Sequence, residues 1–214
     1  MPDGFAPVTV AAMLTGGVHL GAYYRRKARL AGFFKAVPIA LLLVWVLVHA
    51  PVVGDGYRRL IAAGLLFSMG GDLLLLERER FRAGLASFFV AHVCYTFAFV
   101  SSGFAGDVST ALTLGVLAGM LLRLLWPHVR RERVPVICYV AMISLMAWSA
   151  LGRESAPATP QPSGALAGLG AVVFMVSDAI LALDRFGRPW YAAHAAVMVT
   201  YYAAQILIAA SVAG

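Results

Sequence analysis

Charge is what this sequence has least of. Only 13% of its 214 residues are Asp, Glu, Lys or Arg, against roughly 25% in soluble domains. With 61% hydrophobic residues and a mean hydropathy of +0.83, that shortage excludes a water-soluble fold. Cysteine is nearly absent: Cys94 and Cys138 both fall inside apolar runs, which argues against a structural disulfide and leaves the redox compartment open. The N-terminus has no basic segment ahead of its first apolar run, so MPDGFAPVTV reads as the start of a span and not as a cleaved signal. No room remains for a soluble domain.

What is present is a series of apolar runs long enough to cross a bilayer, each needing about 20 residues at 1.5 Å rise. The runs predict an all-α, polytopic transmembrane helix bundle of about eight spans, near residues 5–24, 32–50, 57–76, 82–101, 107–126, 134–152, 164–183 and 189–212. Polar, Gly or Pro clusters separate them. The formal charge of +7 does not point to nucleic acid, because the basic residues sit in short clusters between spans. Arg25, Arg26, Lys27, Arg29, Arg78, Arg80, Arg82, Arg130, Arg131, Arg133, Arg185 and Arg188 fall on one side, against Arg58, Arg59 and Arg153 on the other. The positive-inside rule makes the first set cytoplasmic and puts both termini on the non-cytoplasmic side. The proline-rich stretch 153–164 has the composition of a mobile linker. The chain reads as a single transmembrane domain, 1–214. Similar motifs 106 residues apart admit either a 4+4 helix repeat (about 1–106 and 107–214) or chance likeness among Leu-rich helices.

Two acids interrupt the apolar runs: Asp72 in FSMGGDLLLLE and Asp178 in FMVSDAILAL. An ionisable residue near the middle of a span costs about 2.5 to 3.5 kcal/mol on insertion scales, so each is a functional candidate. Asp72 precedes Glu77 by five residues and Asp178 precedes Asp184 by six, which places both about 8 to 9 Å below the cytoplasmic edge. The expectation is one lipid-accessible chamber where one acid keeps a proton and the other is ionised. The bland alternative is two separate acids, each paired with Lys or Arg.

Other polar residues gather around this pair. Ser68 lies one turn before Asp72, and Gly70 and Gly71 beside it suit close helix packing. His92 and Tyr95 share a stripe with Phe88 and Phe99. His194, Tyr201, Tyr202 and Gln205 line the last span, where they serve either a wet cavity or interhelical hydrogen bonds. Lys35, near the start of the second span, either snorkels to the interface or meets a lipid phosphate or one of the acids. Arg78 and Arg82 read as interface anchors.

Lys35 with Pro38, Phe67-Ser68 with Gly71-Asp72, Gly84 with Phe88, His92 and Tyr95, Ser177-Asp178, Arg185-Phe186, and Tyr201-Tyr202 with Gln205 occur in an order and spacing that resembles the YhhN-like lysoplasmalogenase family over most of the chain. One departure is that the family usually has Lys followed at once by Pro in the second helix. The resemblance implies eight transmembrane helices in an inner (cytoplasmic) membrane and hydrolysis of the vinyl ether bond of lysoplasmalogens to fatty aldehyde and glycerophosphoethanolamine or glycerophosphocholine. It implies that the family's two essential acids map onto Asp72 and Asp178, and it implies no metal or organic cofactor. The partner is then a single-chain ether lysophospholipid within the membrane lipid. Vinyl ether hydrolysis starts with protonation at carbon, which suits a buried carboxylic acid. Three rivals remain at this level: an intramembrane aspartyl protease, whose Tyr-Asp and Pro-Ala-Leu motifs are absent; a proton-coupled small-molecule or lipid carrier using the same acids and His92; and a metal site built from Asp72, Asp178, His92 and His194.

Overall fold

Eight α-helices make up most of residues 4–49, 53–101, 103–130 and 132–213, which the computed structural model describes. They are α1 (Phe5–Tyr24), α2 (Ala28–Val48), α3 (Asp55–Leu74), α4 (Phe81–Ser101), α5 (Val108–Leu125), α6 (Arg133–Glu154), α7 (Ser163–Phe186) and α8 (Ala193–Ala210). Among the described residues, seven are long and apolar enough to cross a membrane. The exception is α3, which has the length but carries Asp55, Arg58, Arg59 and Asp72; it packs against α2 and α4 within the bundle. Residues 50–52, 102 and 131, which include the expected end of the second span and Arg131 of the basic set, lie outside the described residues.

Helix ends depart from expectation where side chains find tertiary partners. α7 continues past the charged pair Asp184-Arg185 to Phe186, because the Arg185 guanidinium sits 4.5 Å from the centre of the Phe81 ring and Phe186 packs edge-on against the same ring. α2 begins at Ala28, inside the basic cluster. α8 begins at Ala193 and not at 189, since Pro189 biases its predecessor away from helix. Arg153 is no loop charge: it lies inside α6, fully buried, over the Tyr57 ring and donating to Ser163 Oγ at 2.8 Å. The proline-rich stretch is a packed corner and not an extended linker, with Ala156 and Thr159 buried and successive turns hydrogen-bonded.

Between helices in lipid there is little hydrophobic driving force, so close packing and hydrogen bonds hold the bundle. Small residues supply the first. A methyl group at Gly64 would stand 2.2 Å from the Tyr95 ring and one at Gly71 2.5 Å from Phe88, so α3 and α4 approach as closely as they do only because both positions lack Cβ. Hydrogen bonds supply the second: Tyr57 to Ser211 at 2.6 Å and Ser163 to the Ser211 carbonyl tie the starts of α3 and α7 to the end of α8. α8 is the most enclosed of the seven apolar helices and α5 the least. The N-terminus of α5 is capped by Asp107, which accepts from Thr110 N–H at 2.8 Å and from the Ser109 hydroxyl. Those bonds, Ser109's first, hold its carboxyl below the usual carboxylate range.

Candidate active site

The two intramembrane acids belong to different helix interfaces. Asp72 sits in the last turn of α3, where the final carbonyls of a helix have no intrahelical donor. Lys35 of α2 satisfies both needs at once, with Nζ 3.3 Å from Asp72 Oδ1 and donating to the Asp72 backbone carbonyl at 3.2 Å. A cation at a helix C-terminus is also favoured by the helix dipole. Tyr201 of α8 donates to Asp72 Oδ2 at 2.7 Å. Asp72 and Lys35 are 2% and 7% exposed, so the lysine does not snorkel; it completes a buried ion pair.

Asp178 is two turns from the end of α7 and faces α4 and α6. Tyr139 donates to its Oδ2 at 2.6 Å, and His92 Nε2 lies 3.7 Å from the same oxygen. His92 is fully buried. Its ring stands edge-on to Tyr139 and close to Phe174. Asp178, Tyr139 and Arg185 line a cavity of about 270 Å³ between α4, α5, α6 and α7, whose walls are otherwise almost entirely apolar. Asp72 is not among its lining residues. A shallower groove on the other side of Leu85 and Tyr139 lies between α4 and α6, with Arg82 at its rim.

The two acids therefore have different hydrogen-bond partners, and only Asp178 lines the cavity. Phe174 touches both groups, its ring centre 5.5 Å from that of Tyr201 and 4.8 Å from that of His92, and Phe88 packs on Tyr201 at 5.8 Å. No hydrogen bond joins the carboxyls among the described residues. The two acids differ in their distance from a helix end: α3 stops at Leu74, two residues beyond Asp72, whereas α7 runs eight residues beyond Asp178.

The supporting residues divide in the same way. Tyr202 donates to the Lys35 carbonyl at 3.0 Å and packs its ring on Gly16. Ser177 is a strut between helices, donating to the Val197 carbonyl. Tyr95 donates to Gln205 Oε1 at 2.8 Å, a fully buried link between α4 and α8 that touches neither acid, and Ser68 is buried one turn before Asp72. His194 leaves the group altogether: its Nε2 meets His19 Nε2 at 3.0 Å and its ring stacks on Tyr23. The four residues weighed as a metal site do not converge, and no group of three His, Cys, Asp or Glu side chains does so among the described residues. Gly71 serves helix packing, as Phe88 fills the space beside it. Arg82 is paired with Glu132 at 2.6 Å. Sequence reasoning missed Tyr139, whose only signal was one of three hydroxyls in an apolar helix with Ser144 and Ser149, and Arg185 as a cavity residue.

Known proteins resemble the chain over most of its length. The YhhN family model matches residues 30–212. Lysoplasmalogenase TMEM86B of Homo sapiens is 36% identical over 183 residues, covering 85% of this chain and 74% of the relative. Lysoplasmalogenase TMEM86A of Bos taurus is 34% identical over 191 residues, covering 85% and 77%. The uncharacterized membrane protein YhhN of Escherichia coli O157:H7 is 29% identical over 208 residues, covering 94% and 96%. No solved structure matches. Seven apolar helices and relatives described as membrane proteins make this an integral membrane protein. By the extent of these matches, the chain belongs to the YhhN family.

Proposed function

We propose that this protein hydrolyses the vinyl ether bond of lysoplasmalogens, releasing a fatty aldehyde and glycerophosphoethanolamine or glycerophosphocholine. The observation that carries the reading is the carboxyl of Asp178, which lines an apolar cavity in a chain whose relatives include lysoplasmalogenases. An apolar cavity suits the hydrocarbon chain, and the one acid on its wall suits the bond to be broken.

A vinyl ether is cleaved by protonation at the carbon beyond the one attached to oxygen. The protonated carboxyl of Asp178 delivers that proton as general acid, leaving an oxocarbenium ion beside the new carboxylate, which stabilises it. The carboxylate next takes a proton from a water as its oxygen bonds to the cationic carbon, giving a hemiacetal. Asp178 then donates to the glycerol oxygen while accepting the hemiacetal hydroxyl proton, the carbon–oxygen bond breaks, and the acid is regenerated. One carboxyl suffices for every proton transfer, which fits the separation of the two acids. Tyr139 orients it through Oδ2, leaving Oδ1 without a protein donor among the described residues and available to carry the proton. His92, buried beside it, positions the carboxyl and the water. Asp72 is a positioning residue in this scheme, fixing Tyr201 and Lys35. The cavity lies toward the arginine-rich end of α7, so the positive-inside rule sets it in the cytoplasmic half of a cell's inner membrane.

Purified protein in detergent, presented with an alkenyl lysophospholipid and with its acyl and saturated alkyl counterparts, tests the reading. The account expects aldehyde from the alkenyl lipid alone, and in heavy water one deuterium at the aldehyde's α-carbon. Release of fatty acid from the acyl lipid with the alkenyl lipid left intact contradicts it. A carrier, by contrast, leaves all three lipids unchanged.

A further inference from the structure

Resting on that reading, the geometry points to Arg185 as the residue that binds the phosphate of a single-chain glycerophospholipid and thereby sets its ether at Asp178. Arg185 follows Asp178 by seven residues on α7. Two turns bring the side chains to one helix face, with Cα atoms about 10 Å apart along the axis. Both line the cavity. In the lipid, six bonds separate the vinyl carbon next to the ether oxygen from phosphorus, about 7 Å in an extended chain at roughly 1.2 Å per bond. Acid and arginine thus stand on one helix face at a separation of the same order as a glycerophosphate linkage.

The local setting favours an anion over a structural partner. The Phe81 ring holds the guanidinium at the cavity mouth, and stacking leaves the in-plane N–H groups free for the paired oxygens of a phosphate. Arg185 joins no ion pair among the described residues. Arg82, at the rim of the neighbouring groove, is held by a forked contact to Glu132. Of the two arginines at the two openings, only the one on the Asp178 side is left to a ligand. Inward from Arg185 the wall is Leu181, Ala182, Leu121 and Val140, a surface for hydrocarbon. Diacyl lipids carry the same phosphate, but about 270 Å³ lies just below the usual range of ligand cavities, roughly 300 to 1,000 Å³, and suits one chain.

The test is binding in a phosphate-free maltoside detergent by the full-length protein, using a saturated 1-alkyl-glycerophosphocholine, the 1-alkylglycerol that lacks phosphate, and a diacyl phosphatidylcholine. Wild type is expected to prefer the phosphate-bearing single-chain lipid over the alkylglycerol by about tenfold or more, the scale of a charge-assisted contact. Arg185→Gln loses that preference with affinity for the alkylglycerol unchanged, and Arg185→Lys keeps part of it. In turnover, Arg185→Gln raises KM for the alkenyl lysophospholipid by a similar factor. No preference in wild type, a preference retained in Arg185→Gln, or equal competition by the diacyl lipid overturns the assignment. The binding arms use unreactive lipids, so a wild type that binds as expected yet releases no aldehyde refutes the vinyl ether reading alone.

Discussion

Lys35 shows how a single side chain can serve two acceptors with one charge. Its ammonium meets both the carboxylate and the carbonyl of Asp72, so removing it uncovers a buried anion and a helix-terminal carbonyl together. Breaking a buried pair from one side costs about 3 to 5 kcal/mol. Lys35→Met is therefore expected to lower Tm markedly in detergent, whereas Lys35→Met combined with Asp72→Leu recovers part of the loss; additive losses contradict the pairing. Tyr139→Phe removes the donor from Asp178 without emptying space, and is expected to lower kcat about tenfold with Tm nearly unchanged. Both acids were legible in the sequence, because a carboxylate inside an apolar run stands out against everything around it. Their partners were less so. Lysine near a span's end snorkels as readily as it pairs, and which it does depends on where another helix stops. A tyrosine hydroxyl in an apolar helix has many possible partners, and only the packing of α6 on α7 selects Asp178 for Tyr139.

At the level of helices, the positions of the spans follow from hydrophobic length, but their ends do not. Charged residues marked the expected exits, yet α7 continues through Asp184 and Arg185 because Phe81 and Phe186 give the last turn something to pack on. Those few residues lengthened the face on which Asp178 and Arg185 stand. The α3 and α4 contact is more predictable: Gly71→Ala forces a methyl into the Phe88 ring, and overpacking of this kind costs about 1 to 3 kcal/mol, read as a lower Tm. Unchanged stability contradicts so close an approach. The cap of α5 has a pH sign. Asp107 has its folded-state pKa depressed by Ser109 and Thr110, so its contribution is present above the ordinary carboxylate pKa and fades as pH falls through the lower folded value. Hydrogen-exchange protection at the first turn of α5, corrected for the intrinsic pH dependence of amide exchange, is expected to fall on acidification in wild type and to lose that dependence in Asp107→Ala.

Across the molecule, two polar centres have different partners and share packed aromatic neighbours, with Phe174 touching both. One is a sealed ion pair among α2, α3 and α8; the other is an acid on a cavity bounded by α4 to α7, with the loosely enclosed α5 on its outer side. Family and membrane character were readable from the chain, whereas the two sets of partners were not, since they depend on the three-dimensional meeting of the helices. If substrate enters beside α5, Ala118→Trp, which fills the cavity from that helix, lowers kcat/KM at least about tenfold with the fold retained; an unchanged value moves the entrance elsewhere. The central claim is that Asp178 alone delivers the proton. Its most direct measurement is aldehyde formation from an alkenyl lysophospholipid by Asp178→Asn, with Tm recorded alongside. The account predicts kcat lower by about 10² to 10⁴ at nearly wild-type Tm; turnover within tenfold of wild type contradicts it.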